Sequence, residues 1–221
     1  MARLSDDAVV VIGLGRFGEA LARELVASGT EVLGIDTDEH LVQKMAGVLT
    51  HTVVADSTDE EALRQLSVDE FDRVVVGIGH NLENSILTCS ILTGFGVRDV
   101  WAKAISAPHS RILRQIGCHH VVRPEHDTGK RVAHLIAGRL LDYIEFDDGY
   151  AIVKMRPPRL IVDKTLADSA PRARYGVTVV GVKRAAQDFQ HAVPDTVIRD
   201  GDLMIVSGDR RKVEAFAELG S

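Results

Sequence analysis

From Ala8 to Pro124, short and wholly apolar runs alternate with segments whose apolar residues recur every three or four positions. A short apolar run between turn residues marks a buried strand, and a spacing of three to four marks one face of a helix. Residues 9–12, Val-Val-Val-Ile, are the first such run. Phe17, Leu21 and Leu25 then fall on one helical face, and Gly29 ends that helix. The cycle repeats as strand 32–35, helix 41–46, strand 52–55, helix 60–66, strand 73–78 and helix 82–93. It closes with strand 99–103, helix 108–116 and strand 120–123. Six strands separated by helices predict an α/β fold, a Rossmann-type doubly wound parallel sheet.

The pattern changes after Pro124. A longer helix is expected over 128–143, with Val132, Ile136 and Leu140 on one stripe and Ala133, Ala137 and Leu141 on the next. So wide an apolar face packs against more than one surface, and both the rest of the chain and a second subunit are expected to cover it. From Glu145 onward, strands at 151–155, 177–183 and 203–206 and helices at 165–169 and 210–219 predict a small α+β unit. The expected division is 1–124 for the nucleotide-binding domain, 125–144 for a crossover helix and linker, and 145–221 for the second domain. That last piece is small for the substrate domain of a dehydrogenase.

A chain of 221 residues is long enough for one full α/β domain and a smaller one. Its 26 basic and 32 acidic side chains leave a net charge of -6 without a basic cluster, which argues against a nucleic-acid partner. A local anion pocket remains compatible with that balance. The opening residues 1–7 lack the apolar core of a signal peptide. The most lipid-like stretch, 85–97, falls short of the roughly 20 residues that cross a bilayer. Any membrane is expected to be served from the aqueous side. Cys89 and Cys118 have no metal-type spacing and read as reduced packing residues of a cytosolic protein.

The chemistry gathers at Gly13-Leu14-Gly15-Arg16-Phe17-Gly18, between the first strand and the first helix. Gly13 suits a tight turn, Gly15 lets backbone N–H groups approach a phosphate, and Gly18 lets helix and sheet pack closely. Asp36, at the end of the second strand, is spaced to accept hydrogen bonds from ribose hydroxyls. Asp36 and Asp38 together disfavour the 2′-phosphate of NADP. Arg16 either clamps phosphate oxygens or is a solvated arginine at a helix start. Asp56 either reaches the adenosine side or belongs to a plain helix cap in Asp56-Ser57-Thr58-Asp59. Gly77 and Gly79 end the fourth strand, and Lys103 ends the fifth on the same rim, facing an anion or snorkelling to water. Glu125, just beyond the sixth strand, offers an oxygen ligand to a hard cation held by phosphates.

No catalytic constellation accompanies these residues: no Ser-x-x-x-Tyr-x-x-x-Lys set, no nucleophile elbow, no lysine-bearing Walker loop. His119, His120, His126 and His134 match no familiar metal-ligand spacing. The reading is therefore a non-enzyme. The competing ones are an NAD-dependent oxidoreductase with an unrecognised active site and a nucleotide sensor for another membrane transporter.

Residues 9–18, Trp101-Ala102-Lys103-Ala104, Arg123-Pro124-Glu125-His126-Asp127-Thr128-Gly129 and Arg172-Ala173-Arg174-Tyr175-Gly176 occur in the order of a known family. Together they resemble the RCK (TrkA-type) regulators of potassium transport, closest to the KtrA-like branch. The resemblance implies a cytoplasmic gating subunit, peripheral at the inner face of the plasma membrane through a KtrB/TrkH-like potassium-transport subunit. It implies homo-oligomers in which dimers build an octameric ring, with ATP, ADP or NAD/NADH in the N-domain. It places Arg16 on the phosphates, Asp36 on the ribose, Lys103 on the nucleotide, and Glu125 on Mg or another cation. The helix from Thr128 becomes the crossover helix. Some relatives bind cyclic di-AMP at the C-domain interface. Here Ala167 and Ala170 depart from that pattern, which leaves that ligand open.

Overall fold

Val-Val-Val-Ile at 9–12 has no polar side chain to offer water, and β1 (Val9–Ile12) is buried along its whole length. The computed structural model describes residues 7–137 and 140–219. After β1 come α1 (Arg16–Ala27), β2 (Val32–Asp36), α2 (Glu39–Met45), β3 (His51–Val54), α3 (Glu60–Gln65) and β4 (Arg73–Val76). Then follow α4 (Leu82–Gly94), β5 (Asp99–Lys103), α5 (Ala107–Gln115), β6 (His120–Val122) and α6 (Pro124–Ala137). The six strands are parallel in the order β3-β2-β1-β4-β5-β6. Alternate residues of β1 face opposite ways: Val10 and Ile12 join one core with Leu33, Val76 and Leu92. Val9 and Val11 join the other with Leu14, Ala22 and Met45. The order reverses between β1 and β4, and at such a point the carboxyl ends of the strands part to leave a crevice.

The chain divides after Glu125 into two compact units. The second holds β7 (Leu140–Glu145), β8 (Tyr150–Met155), α7 (Leu166–Ser169), α8 (Pro171–Tyr175), β9 (Val177–Lys183), β10 (Gln190–His191), β11 (Leu203–Asp209) and α9 (Arg210–Glu218). Its antiparallel sheet runs β10-β9-β11-β8-β7 over a core that includes Met155, Ile161, Ile198, Val206 and Phe216.

One expected element divides differently. The helix expected over 128–143 is α6, which starts at Pro124 and ends at Ala137, and Leu140 onward is strand. The pairing of β7 with β8 shifts register between Leu140 and Asp142. This bulge turns Leu140 and Tyr143, three residues apart, to the same buried side. Inward positions three apart imitate a helical stripe, which is why the sequence pattern ran on. Of the helical stripe itself, Leu135 packs on the second unit's core, while Val132 and Ile136 are exposed, Ile136 at 81%.

Cys89 and Cys118 are free and buried, and the neighbouring Cys118 together with burial pushes the Cys89 thiol up. Among the described residues no helix is long and apolar enough to cross a membrane.

Candidate functional site

Four of the first five helices are closed by a side chain. Asp38 accepts from His40 N–H, Asp59 from Glu61 and Ala62, Asn81 from Asn84, and Ser106 from His109. α1 is not: its N-cap is Gly15, which has no side chain to accept. Its first helical bond runs from Glu19 N–H to the Gly15 carbonyl at 2.8 Å. The N–H groups of Arg16, Phe17 and Gly18 therefore have no partner within the helix. Added to the helix dipole, they make a positive end suited to an anion.

The three loop glycines are required to different degrees. Gly13 has φ +90°, and a Cβ there would stand 3.1 Å from Gly77 C and Ile78 N. A Cβ at Gly18 would lie 1.8 Å from the Gly13 carbonyl oxygen. A Cβ at Gly15 would meet nothing within 4 Å, and its φ of -64° is open to any residue. Packing thus dictates glycine at 13 and 18 but not at 15. What glycine preserves at 15 is open access to the head of α1.

Asp36 does more than its spacing announced. Its Oδ2 accepts the Leu14 N–H at 2.6 Å and its Oδ1 accepts the Asp38 N–H at 2.9 Å. The carboxylate braces the phosphate loop against β2, and each oxygen retains accepting capacity toward a hydroxyl. The backbone N–H of Leu14 was invisible as a partner in sequence, because nothing in a spacing of 22 residues shows that loop and strand end will touch.

On the other flank stands Lys103. It is only 8% exposed, its Nζ donates to Glu125 Oε1 at 2.6 Å, and it lies 5.5 Å from the centre of the Phe17 ring. A Cβ at Gly79 would come within 3.1 Å of that Nζ, so glycine there leaves the lysine its place. The hydrogen bond from Lys103 holds the Glu125 carboxyl below the usual glutamate range. Its own backbone N–H and the charges of Lys103 and Arg16 add to this, against partial desolvation. Lys103, Glu125, Phe17 and Gly79 thus gather at the rim, and the exposed Arg16 guanidinium contributes to the field there.

Asp56 is tied into its own turn. Its Oδ1 accepts from the Thr58 N–H at 2.9 Å and the Thr58 hydroxyl at 2.7 Å, and these bonds lower its carboxyl below the ordinary range. The cap of α3 is Asp59, and the geometry ties Asp56 to Thr58 rather than to the loop.

Among the described residues no three His, Cys, Asp or Glu side chains gather as a metal ion would require. Glu125 offers a single carboxylate already engaged by Lys103. It does not make a cation site by itself, and Mg there would need oxygens from a bound phosphate. His119 and two of its fellow histidines have other occupations: His119 Nδ1 accepts the Val100 N–H, His120 stacks on Trp101, and His134 stacks on Tyr143. In the second unit Ala170 has φ +43°, a left-handed backbone that asparagine tolerates better than alanine.

Residues 9–124 match the TrkA-N domain and residues 150–219 the TrkA-C domain. Ktr system potassium uptake protein C of Bacillus subtilis (strain 168) is 38% identical over 207 residues, 93% of this chain and 94% of that protein. Ktr system potassium uptake protein A of the same organism is 33% identical over the full length of both. The protein A of Vibrio alginolyticus is 36% identical over 212 residues, 96% of each. Among solved structures, the GsuK RCK domain and the GsuK channel bound to NAD superpose with TM-scores of 0.69 and 0.71, both at 16% identity. They cover 100% and 99% of this chain, which spans 50% and 40% of theirs, and at that identity they establish the fold alone.

Proposed function

This chain belongs to the TrkA-N/TrkA-C family, and from that premise we propose that it is the cytosolic, nucleotide-binding regulatory subunit of a membrane potassium transporter. The observation that carries the reading is the start of α1, uncapped and sterically open at Gly15, beside the buried Lys103 ammonium. Phosphates take the N–H groups of residues 16–18, with Arg16 and Lys103 as cationic partners. Asp36 accepts from the ribose, and the Asp56 oxygen not engaged by Thr58 is left to serve the adenosine side. ATP or ADP fits this set, and so does NAD/NADH, in keeping with the NAD bound by the similarly folded GsuK channel. A 2′-phosphate would meet Asp36 and Asp38. A divalent cation, Mg or another, would join Glu125 to phosphate oxygens and neutralise their charge.

The nucleotide acts here as an effector and not as a reactant. It shifts a gating equilibrium only by its difference in affinity for two assembly states. The γ-phosphate, within reach of Arg16, Lys103 and Glu125, supplies that difference between ATP and ADP. The exposed Val132 and Ile136 on α6 offer an apolar surface to a second copy, consistent with dimers assembled into a ring.

Two measurements test the proposal. Thermal melts with ATP, ADP, NADH and NADPH should show stabilisation by one or more of the first three, and none by any of them would end the nucleotide reading. Co-purification with a potassium-transport subunit, with and without ATP, tests the partner. Solution scattering that gave identical dimensions with saturating ATP-Mg²⁺ and ADP-Mg²⁺ would refute ATP-driven gating.

A further inference from the structure

A cleft of about 500 Å³ on the first unit is lined by Ala107, Ser110, Arg111, Arg114, Gln115 and Arg123. The first five lie on one face of α5, at successive spacings of three and one. Arg123 comes in just past the end of β6, half-buried. Three guanidiniums therefore share one cleft whose lining contains no carboxylate.

Four other surface arginines of this unit are paired with carboxylates, and Arg16 stands at the open head of α1. Arg23 pairs with Glu19, Arg64 with Glu60, Arg73 with Asp7 and Arg98 with Asp72. α5 supplies no partner of its own, since Ala-Pro-His-Ser-Arg-Ile-Leu-Arg-Gln contains no acidic residue. The guanidiniums of Arg111, Arg114 and Arg123 make no hydrogen bond or ion pair with any described residue. In a chain with 32 acidic side chains against 26 basic ones, leaving three cations together is not the default arrangement. Their mutual repulsion opposes folding, and an anion in the cleft removes it. Guanidinium forks match phosphoryl oxygens in pairs, and the Ser110 hydroxyl and Gln115 amide add donors.

We propose that this cleft is a second anion site, built for a phosphoryl-bearing small molecule and separate from the glycine loop. The two sites share no lining residue. The start of α5 plays no part in the argument, since Ser106 already accepts from its first turn.

Inorganic pyrophosphate is the probe, with calorimetry on the full chain. Because pyrophosphate can also sit at the head of α1, the background is Gly15→Asp, which sets a carboxylate in that open position. Pyrophosphate should still bind this protein, and Arg111→Gln/Arg114→Gln should weaken it about tenfold or more. Arg123→Gln alone should weaken it as well. Melting curves of these substitutions, made at cleft-lining positions outside the core, verify that the fold is kept. Unchanged affinity in the double variant overturns the proposal. So does complete loss of binding in Gly15→Asp alone, which would put the anion only on the glycine loop. Absence of binding together with an altered oligomeric state in the double variant also overturns it, since the arginines would then serve an acidic protein surface.

Discussion

β1 and β11 each lead into a helix, the first through a three-residue loop and the second directly, and the two junctions are finished differently. At the second, Asp209 closes α9 by accepting from the Arg211 and Lys212 N–H groups. At the first, Gly15 leaves the head of α1 without a side-chain acceptor. The chain thus has the means to complete a strand-to-helix junction internally and does so in the second unit. The unfinished junction is the one at which six parallel strands end on a common rim. An antiparallel sheet sends alternate strand ends to opposite sides and gathers no such rim.

That contrast can be broken most severely at Gly18. Ala there puts a Cβ within van der Waals exclusion of the Gly13 carbonyl, so α1 or the loop must shift. Gly18→Ala should cost about 3 kcal/mol or more, seen as a large fall in melting temperature, and should abolish nucleotide binding. An unchanged melt would mean that close packing does not explain this glycine.

Gly15→Ala and Asp209→Ala sharpen the comparison as a pair. The first should alter the stability of the ligand-free protein by less than about 1 kcal/mol and weaken nucleotide binding about tenfold or more, read by titration calorimetry. The second should cost about 1 kcal/mol by loss of the cap and leave nucleotide affinity unchanged. If both variants behaved alike, the two junctions would be equivalent after all.

A smaller effect is expected with pH. The Glu125 carboxyl is lowered in the folded protein, so its contribution is present above the ordinary glutamate value and lost as pH falls through the folded one. Lys103→Met removes the main cause. NMR titration of Glu125 should then show its midpoint rise toward the ordinary glutamate range, and acid unfolding should lose part of its slope. The carboxylate is well exposed, so the change in stability is slight. Smallest of all, Ala170→Asn should stabilise the second unit by a few tenths of a kcal/mol in a thermal melt, by suiting its left-handed backbone better.

Much of the first unit was legible in the chain. Short, β-branched apolar runs between turn residues, such as Val-Val-Val-Ile, read as buried strands, and all six strands lie within two residues of their expected bounds. The glycine loop was equally plain, because Gly13 and Gly18 answer to local sterics. Two kinds of information were hidden. The bulge at Leu140 and Asp142 gives a strand the inward spacing of a helix, so periodicity misled over 138–143, of which the structure describes 140 onward. Contacts between residues distant in sequence were also out of reach. That Asp36 braces Leu14, and that Lys103 meets Glu125, follows from which strand lies beside which. Arg111, Arg114 and Arg123 stood unremarked for the same reason: only the fold sets one helix face beside one strand end.

The Lys103–Glu125 pair has a consequence for how a ligand would be felt. One buried ammonium has one counter-ion, and that counter-ion is mounted in the first turn of α6. An incoming phosphate that takes Lys103 for itself displaces a carboxylate and does not add to it. The exchange is nearly silent in local charge but mechanical in effect, because the evicted group is fixed to the end of a helix. Glu125, stabilised in its new freedom by the positive start of that helix, would then be the part that moves.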